Sequence, residues 1–266
     1  MKKIIFSLVI LSLSVSVFAQ QKTKSSKEEK KEKKKERIAN MVRLEEEGVI
    51  TNKKHFIGGV KLATDGYGVF LEKGIAQSVK RSILFQLDIS ERKHPKEQKQ
   101  LNQNNGQGPY VYGKINFFYP VKLGVQEQFL LGNKGNKNGV SVTCNVGGGI
   151  SLGFLRPYLL SYTDSVGAQY FAGLAPTKKD SSRFLFDDPI GGPNLGTGFN
   201  KMKLTPGAYA KAAMRFDYGK YNEVVSGLEV GLVAEFYSKK IPQMIFSKEN
   251  NFFFSAYVSL IFGKRK

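Results

Sequence analysis

Residues 139–162 read GVSVTCNVGGGISLGFLRPYLLSY. From Val140 to Phe154 nearly every even position is apolar: Val140, Val142, Cys144, Val146, Ile150, Leu152 and Phe154. The odd positions are small or polar: Ser141, Thr143, Asn145, Gly147, Gly149, Ser151 and Gly153. Successive side chains of a strand point to opposite faces, so this stretch carries one apolar face and one small, polar face. It is longer than the usual globular strand of about five or six residues. A single stretch of this kind also suits a soluble sandwich. A repeated one suits a sheet closed around a polar interior and bathed in lipid.

The pattern recurs along the chain. Phe56, Val60 and Leu62 alternate with Ile57, Lys61 and Ala63, and Tyr67, Val69 and Leu71 with Gly68, Phe70 and Glu72. Ile83, Phe85, Leu87 and Ile89 alternate with Leu84, Gln86 and Asp88. Val111 to Val125 keeps one odd apolar register, opposite Lys114, Asn116, Lys122 and Gln126. Pro120 lies inside that run, and proline cannot donate to a ladder. The register continues across it, which predicts one strand. Later runs centre on 208–217, 224–236 and 252–263. The total is eight strands, an even number that returns both ends of the barrel to one side. Connections near 74–80, 131–138 and 218–223 are short, whereas those near 92–108, 163–204 and 238–250 are longer. This is the asymmetry of periplasmic turns and outer loops, with Thr64–Gly66 a short exception. The expectation is an all-β fold, an eight-stranded antiparallel transmembrane β-barrel over residues 55–266, with a charged N-terminal tail.

The chain opens MKKIIFSLVILSLSVSVFAQ. A basic start, a short apolar core and a small-residue processing site at Val17-Phe18-Ala19 predict a signal peptide over residues 1–19. No later stretch reaches the ~18 consecutive apolar residues of a spanning helix. Residues 20–54 form a charged periplasmic tail that is disordered or holds a short helix near 37–47. The predicted location is the outer membrane of a Gram-negative cell envelope, with both termini periplasmic. The formal charge is +19, of which +12 belongs to residues 55–266. After export, lipid and lipopolysaccharide phosphates or an acidic protein are better anionic partners than nucleic acid. Cys144 is the only cysteine. It excludes an intrachain disulfide and, by itself, a structural zinc site. Its apolar register makes it a lipid-facing hydrophobe.

The last strand ends on an aromatic, Phe262, followed by the basic tail GKRK. With the signal peptide and the alternation over 55–262, the chain resembles the small outer-membrane β-barrel family that includes OmpX-like and PorT-like proteins. The stretches YGKINFFYPVKLG (112–124), KNGVSV (137–142) and GGGISLGFLRPYL (147–159) also resemble a recurrent, functionally uncharacterised barrel group. The resemblance implies no known activity. Its PorT-like side implies a subunit of a secretion or assembly machine.

An eight-stranded barrel has an interior that side chains just fill. Lys114, Lys122, Lys211, Arg215, Glu229 and Glu235 fall on the inward register and predict a lumen ion-pair network, with Glu229 near Lys211 and Arg215. A narrow ion path is the alternative for the same residues. A lipid A-modifying enzyme requires a placed nucleophile and base. The two histidines, His55 and His94, show no such pairing in the sequence, so no catalytic residue is assigned. Gly147-Gly148-Gly149 lacks the Lys-Ser/Thr of a phosphate loop, and Asp180, Asp187 and Asp188 lack calcium-ligand spacing. No metal or cofactor is expected. Arg92, Lys93, Lys96 and Lys99 form a basic loop suited to lipopolysaccharide phosphates. Residues 163–204 and 20–54 are the expected surfaces for an envelope protein partner. The expected function is non-catalytic: binding, structural, or accessory to assembly or secretion.

Overall fold

The computed structural model describes residues 54–100, 109–134, 139–163, 169–173, 192, 196–219, 224–245 and 247–265. The signal peptide, residues 20–53 of the tail, and Asp180, Asp187 and Asp188 lie outside the described residues.

Eight strands close a barrel: β1 (Lys54–Ala63), β2 (Gly66–Ala76), β3 (Arg81–Arg92), β6 (Asn116–Gly132), β7 (Ser141–Pro157), β10 (Lys203–Asp217), β11 (Val224–Ile241) and β12 (Asn250–Arg265). Each pairs antiparallel with its neighbours in chain order, and β12 returns to β1. Two small hairpins stand in the longer loops. They are β4 (Lys99–Gln100) with β5 (Tyr110–Val111), and β8 (Leu159–Thr163) with β9 (Gln169–Gly173).

The register fixes the barrel's shape. From Gly58 the ladder steps through Leu71, Leu87, Leu123, Ile150, Ala208 and Phe236 to Phe252. Across the closing seam Gly58 pairs instead with Phe262, ten residues further along β12. A stagger of ten over eight strands, with strands ~4.8 Å apart and ~3.3 Å per residue, tilts them about 40° from the axis. The side chains of that ring point outward. Leu62, Ile150 and Phe254, on the same outer surface, are 72%, 54% and 61% exposed. An exposed apolar band around a closed barrel with a polar interior defines a membrane-spanning barrel. The seventeen residues of β7 rise roughly 43 Å at this tilt, beyond the ~25 Å apolar band.

Pro120 lies within β6, pairing with Gly153 of β7. On its other side the ladder to β3 lapses between Ile89–Val121 and Arg92–Phe118. There the Ser90 hydroxyl donates to the Pro120 carbonyl at 3.4 Å. The missing N–H therefore falls where no bond is made.

Inside, large rings lie over glycines on the neighbouring strand. Phe70 faces Gly59, Tyr237 faces Gly207 and Tyr257 faces Gly231 in register. A methyl group at Gly59 would sit 2.6 Å from the Phe70 ring, and one at Gly231 2.8 Å from the Tyr257 ring. The ring covers backbone that glycine leaves bare. Two apolar clusters flank the polar centre. Ile57, Phe70, Val225 and Ile261 pack near the short-turn end, and Phe118, Leu155, Tyr237 and Ile241 near the loop end.

Candidate functional site

Five interior cations face five carboxylates. At the loop end Arg92 lies 2.7 Å from Asp65 and 3.0 Å from Glu235. Lys122 lies 2.9 Å from Glu235 and 3.5 Å from Asp88, which also pairs with Lys61. A second chain starts at Lys211, 2.8 Å from Glu229. Arg215 joins Glu229 at 2.6 Å and holds both oxygens of Glu72 at 2.8 Å. The hydroxyls of Tyr257 and Tyr237 each donate at 2.6 Å, to Glu229 and Glu235 respectively. Lys211 also donates to Gln86 at 3.0 Å, and Gln126 donates to the same oxygen. Glu229 is 0% and Glu235 1% exposed. Charges removed from water at this cost stay ionised only when closely paired and hydrogen-bonded. Ion passage would have to break several such pairs in succession.

The inward register of these strands explains why the groups converge. Arg215 and Glu229 are direct cross-strand partners, and Lys211 lies two inward positions along β10, past Ala213. Three further members, Lys61, Glu72 and Asp88, share that inward parity, as does Arg92. Their signal in the sequence was the alternation itself.

Two expectations need correction. Lys114 is not in the lumen. It precedes β6, beyond Gly113, whose φ of +74° turns the chain. Its ammonium lies 2.6 Å from Glu97 and 4.3 Å from the Phe117 ring centroid. Burial pulls it below the ordinary lysine value, with Glu97 opposing. Arg92 is not on the outer surface. It points inward at the end of β3, is buried, and its guanidinium lies 4.6 Å from the Phe253 ring centroid. Lys93, Lys96 and Lys99 are exposed.

The loop end carries a small core of its own. Val111, Tyr158, Leu160 and Tyr162 pack with Phe117, Ile115 and Met244, and the Val111 N–H donates to the Tyr158 hydroxyl at 2.7 Å. Beside it a cavity of about 290 Å³ opens between the turn after β3 and the β11–β12 loop. His94 lines this cavity and serves the turn: its Nδ1 accepts from the Lys96 N–H at 3.2 Å, and its own N–H donates to Glu97 at 3.0 Å. Burial holds the imidazole below its usual value, with Lys96 adding to the effect and Glu97 opposing it. At the other end Asp217 gathers Arg265, Lys134 at 3.5 Å and the Gly219 N–H at 2.9 Å. His55 Nε2 lies 3.5 Å from Glu72. No cluster of three or more metal-ligating side chains occurs among the described residues.

Closure, apolar belt and paired interior define a small transmembrane β-barrel with a filled lumen. Comparison with solved structures finds similar proteins. Three of them are Neisserial surface protein A (10% identity, 80% of this chain, 96% of that one, TM-score 0.37), the N-terminal β-barrel domain of Pseudomonas aeruginosa OprF (8%, 80%, 98%, 0.34) and Ail, the attachment invasion locus protein of Yersinia pestis (9%, 81%, 100%, 0.38). No family model and no curated protein matches the chain.

Proposed function

We propose that this protein is a non-catalytic component of the bacterial outer membrane, working through the surface at its loop end. It would bind, brace or assist assembly or secretion in the envelope. The observation that carries this reading is the filled interior. Five cations and five carboxylates close on one another across the barrel, so the network is structural and the accessible chemistry lies outside it. At the loop end Lys93, Lys96 and Lys99 stand exposed on the turn after β3, where cations suit lipopolysaccharide phosphates. His55 pairs with Arg265 across the seam, which puts both ends of the barrel at the short-turn side. We place that side in the periplasm. The 20–54 tail would then meet a periplasmic partner and the 163–204 segment an outer one. The resemblance to OmpX-like and PorT-like barrels supports an accessory role.

The test is a mild-detergent pull-down of the tagged protein from outer membranes, with mass spectrometry of protein and lipid. A stoichiometric protein partner supports the accessory role, and a barrel carrying only lipopolysaccharide supports the lipid-binding one. An altered lipid A mass on deletion of the protein, restored by the wild type, would overturn the non-catalytic reading.

A further inference from the structure

The outer surface is unevenly charged at the short-turn end. Phe56 of β1 pairs with Lys264 on one side and Lys73 on the other. Both lysines are exposed and both point outward, as does Lys54. Two strand spacings of ~4.8 Å put the two lysine backbones roughly 10 Å apart with the Phe56 ring between them. No carboxylate points outward on β12, β1 or β2. Among the described residues, the outward acid of the barrel wall at this end, Glu127, is already paired with Arg81. The loop end of the same wall differs: there Tyr67 donates to Glu91 at 2.6 Å.

An apolar groove of about 560 Å³ adjoins Lys73, with Lys264 one strand beyond Phe56 on its other side. Lys73 stands at its edge, and Phe56, Leu71, Phe85, Leu123, Val125 and Ile150 form its walls. Gly148, outward and without a side chain, leaves its floor open between Val125 and Ala210. The surface thus pairs an apolar channel for a hydrocarbon chain with a cationic rim at one end.

We propose that this face holds an acidic glycerophospholipid, its phosphate between Lys73 and Lys264 and one acyl chain in the adjoining groove. A zwitterionic lipid fills the groove equally well but gains less at the rim, because its own cation offsets the phosphate. The site lies on the opposite rim from the basic loop turn and does not depend on what that turn binds.

The full chain, purified in detergent, is titrated with dioleoylphosphatidylglycerol, dioleoylphosphatidylcholine and lipid A and read by native mass spectrometry. Phosphatidylglycerol is expected to bind in preference to phosphatidylcholine. The K73Q/K264Q variant should weaken it roughly 30-fold, and K73Q alone about fivefold, at ~1 kcal/mol per lysine near a lipid surface. Phosphatidylcholine binding should fall by a much smaller factor in both, and the loop-end variant K240Q should bind as wild type. Heat-modifiable gel mobility checks that each variant is folded. Equal retention of the two glycerophospholipids overturns the proposal, as does wild-type affinity in a folded K73Q variant. Displacement of phosphatidylglycerol by equimolar lipid A assigns the phosphate to lipopolysaccharide and overturns it too.

Discussion

Arg215→Met isolates one carboxylate and spares another. Without the guanidinium, Glu229 keeps Lys211 at 2.8 Å, the Tyr257 hydroxyl at 2.6 Å and the Asn145 amide at 3.1 Å. Glu72 keeps only His55 Nε2, at 3.5 Å. Glu72 is 1% exposed, so its charge cannot be rehydrated without opening the wall. Breaking a buried pair by removing one partner costs ~3–5 kcal/mol, and R215M should lose that much. Glu72→Gln in the same chain removes the stranded charge and restores the balance of cations and carboxylates. The double variant should recover at least ~2 kcal/mol, within the range of coupling energies for contacting residues. The assay is reversible urea unfolding from lipid vesicles, followed by tyrosine fluorescence and gel mobility. A cost below about 1 kcal/mol for R215M, or a double variant no more stable than the single, would refute the claim that the pair is desolvated and mutually compensating.

Three other outcomes follow from the same geometry. Gly59→Ala should cost ~1–3 kcal/mol by overpacking, since its methyl meets the Phe70 ring at 2.6 Å. Gly58→Ala, whose methyl meets the Leu71 side chain at 3.5 Å and the Phe70 carbonyl at 3.9 Å, both ordinary contacts, should be near neutral in the same urea assay. Neutralising Lys93, Lys96 and Lys99 should lower lipopolysaccharide co-purification without shifting the urea midpoint, whereas Arg92→Gln should shift the midpoint because its partners are Asp65 and Glu235. His94 has a folded pKa lowered below 6.5. Protonation therefore disfavours the folded turn: its stability is intact above the ordinary imidazole range and falls as pH drops through 6.5 toward the folded pKa. Proteolysis of the turn after β3 should quicken over that interval in the wild type and lose its pH dependence in His94→Gln.

The strands were legible because lipid on one side and a polar interior on the other impose a period of two. Ala208 to Asp217 shows it plainly, with Lys211 and Arg215 on the inward register. Alternation also assigns Lys61, Glu72 and Asp88 to the interior. Which of these meet depends on strand stagger, and the stagger of ten is a property of the closed ring. Arg92 was misread because it opens the run RKHPK, where charge density suggested solvent. Its parity with Asp88 and Ser90 was the better guide, and the inward side chain finds Asp65 and Glu235. Lys114 was misread by extending the β6 parity back across Ile115, before the strand begins at Asn116; there the Ile115 N–H donates to the Gln243 carbonyl and not to a barrel neighbour. The strand does continue through Pro120, as the unbroken apolar register implied. Of the β8–β9 hairpin, β9 (Gln169–Gly173) falls inside the 163–204 segment expected as loop, whereas β8 (Leu159–Thr163) takes up the end of the 139–162 stretch, after β7 has stopped at Pro157. The hairpin's strands are only five residues each and pair locally above the barrel, so neither carries the long two-sided pattern that lipid selects.

The filled lumen is tested most directly by conductance of the purified, refolded barrel in a planar lipid bilayer. Side chains packed and ion-paired across the axis predict no open-channel steps above the bare-bilayer baseline once insertion is verified. A steady ohmic conductance that scales with inserted protein, and that changes in E229Q/E235Q, would mean that ions traverse the network and would contradict the account.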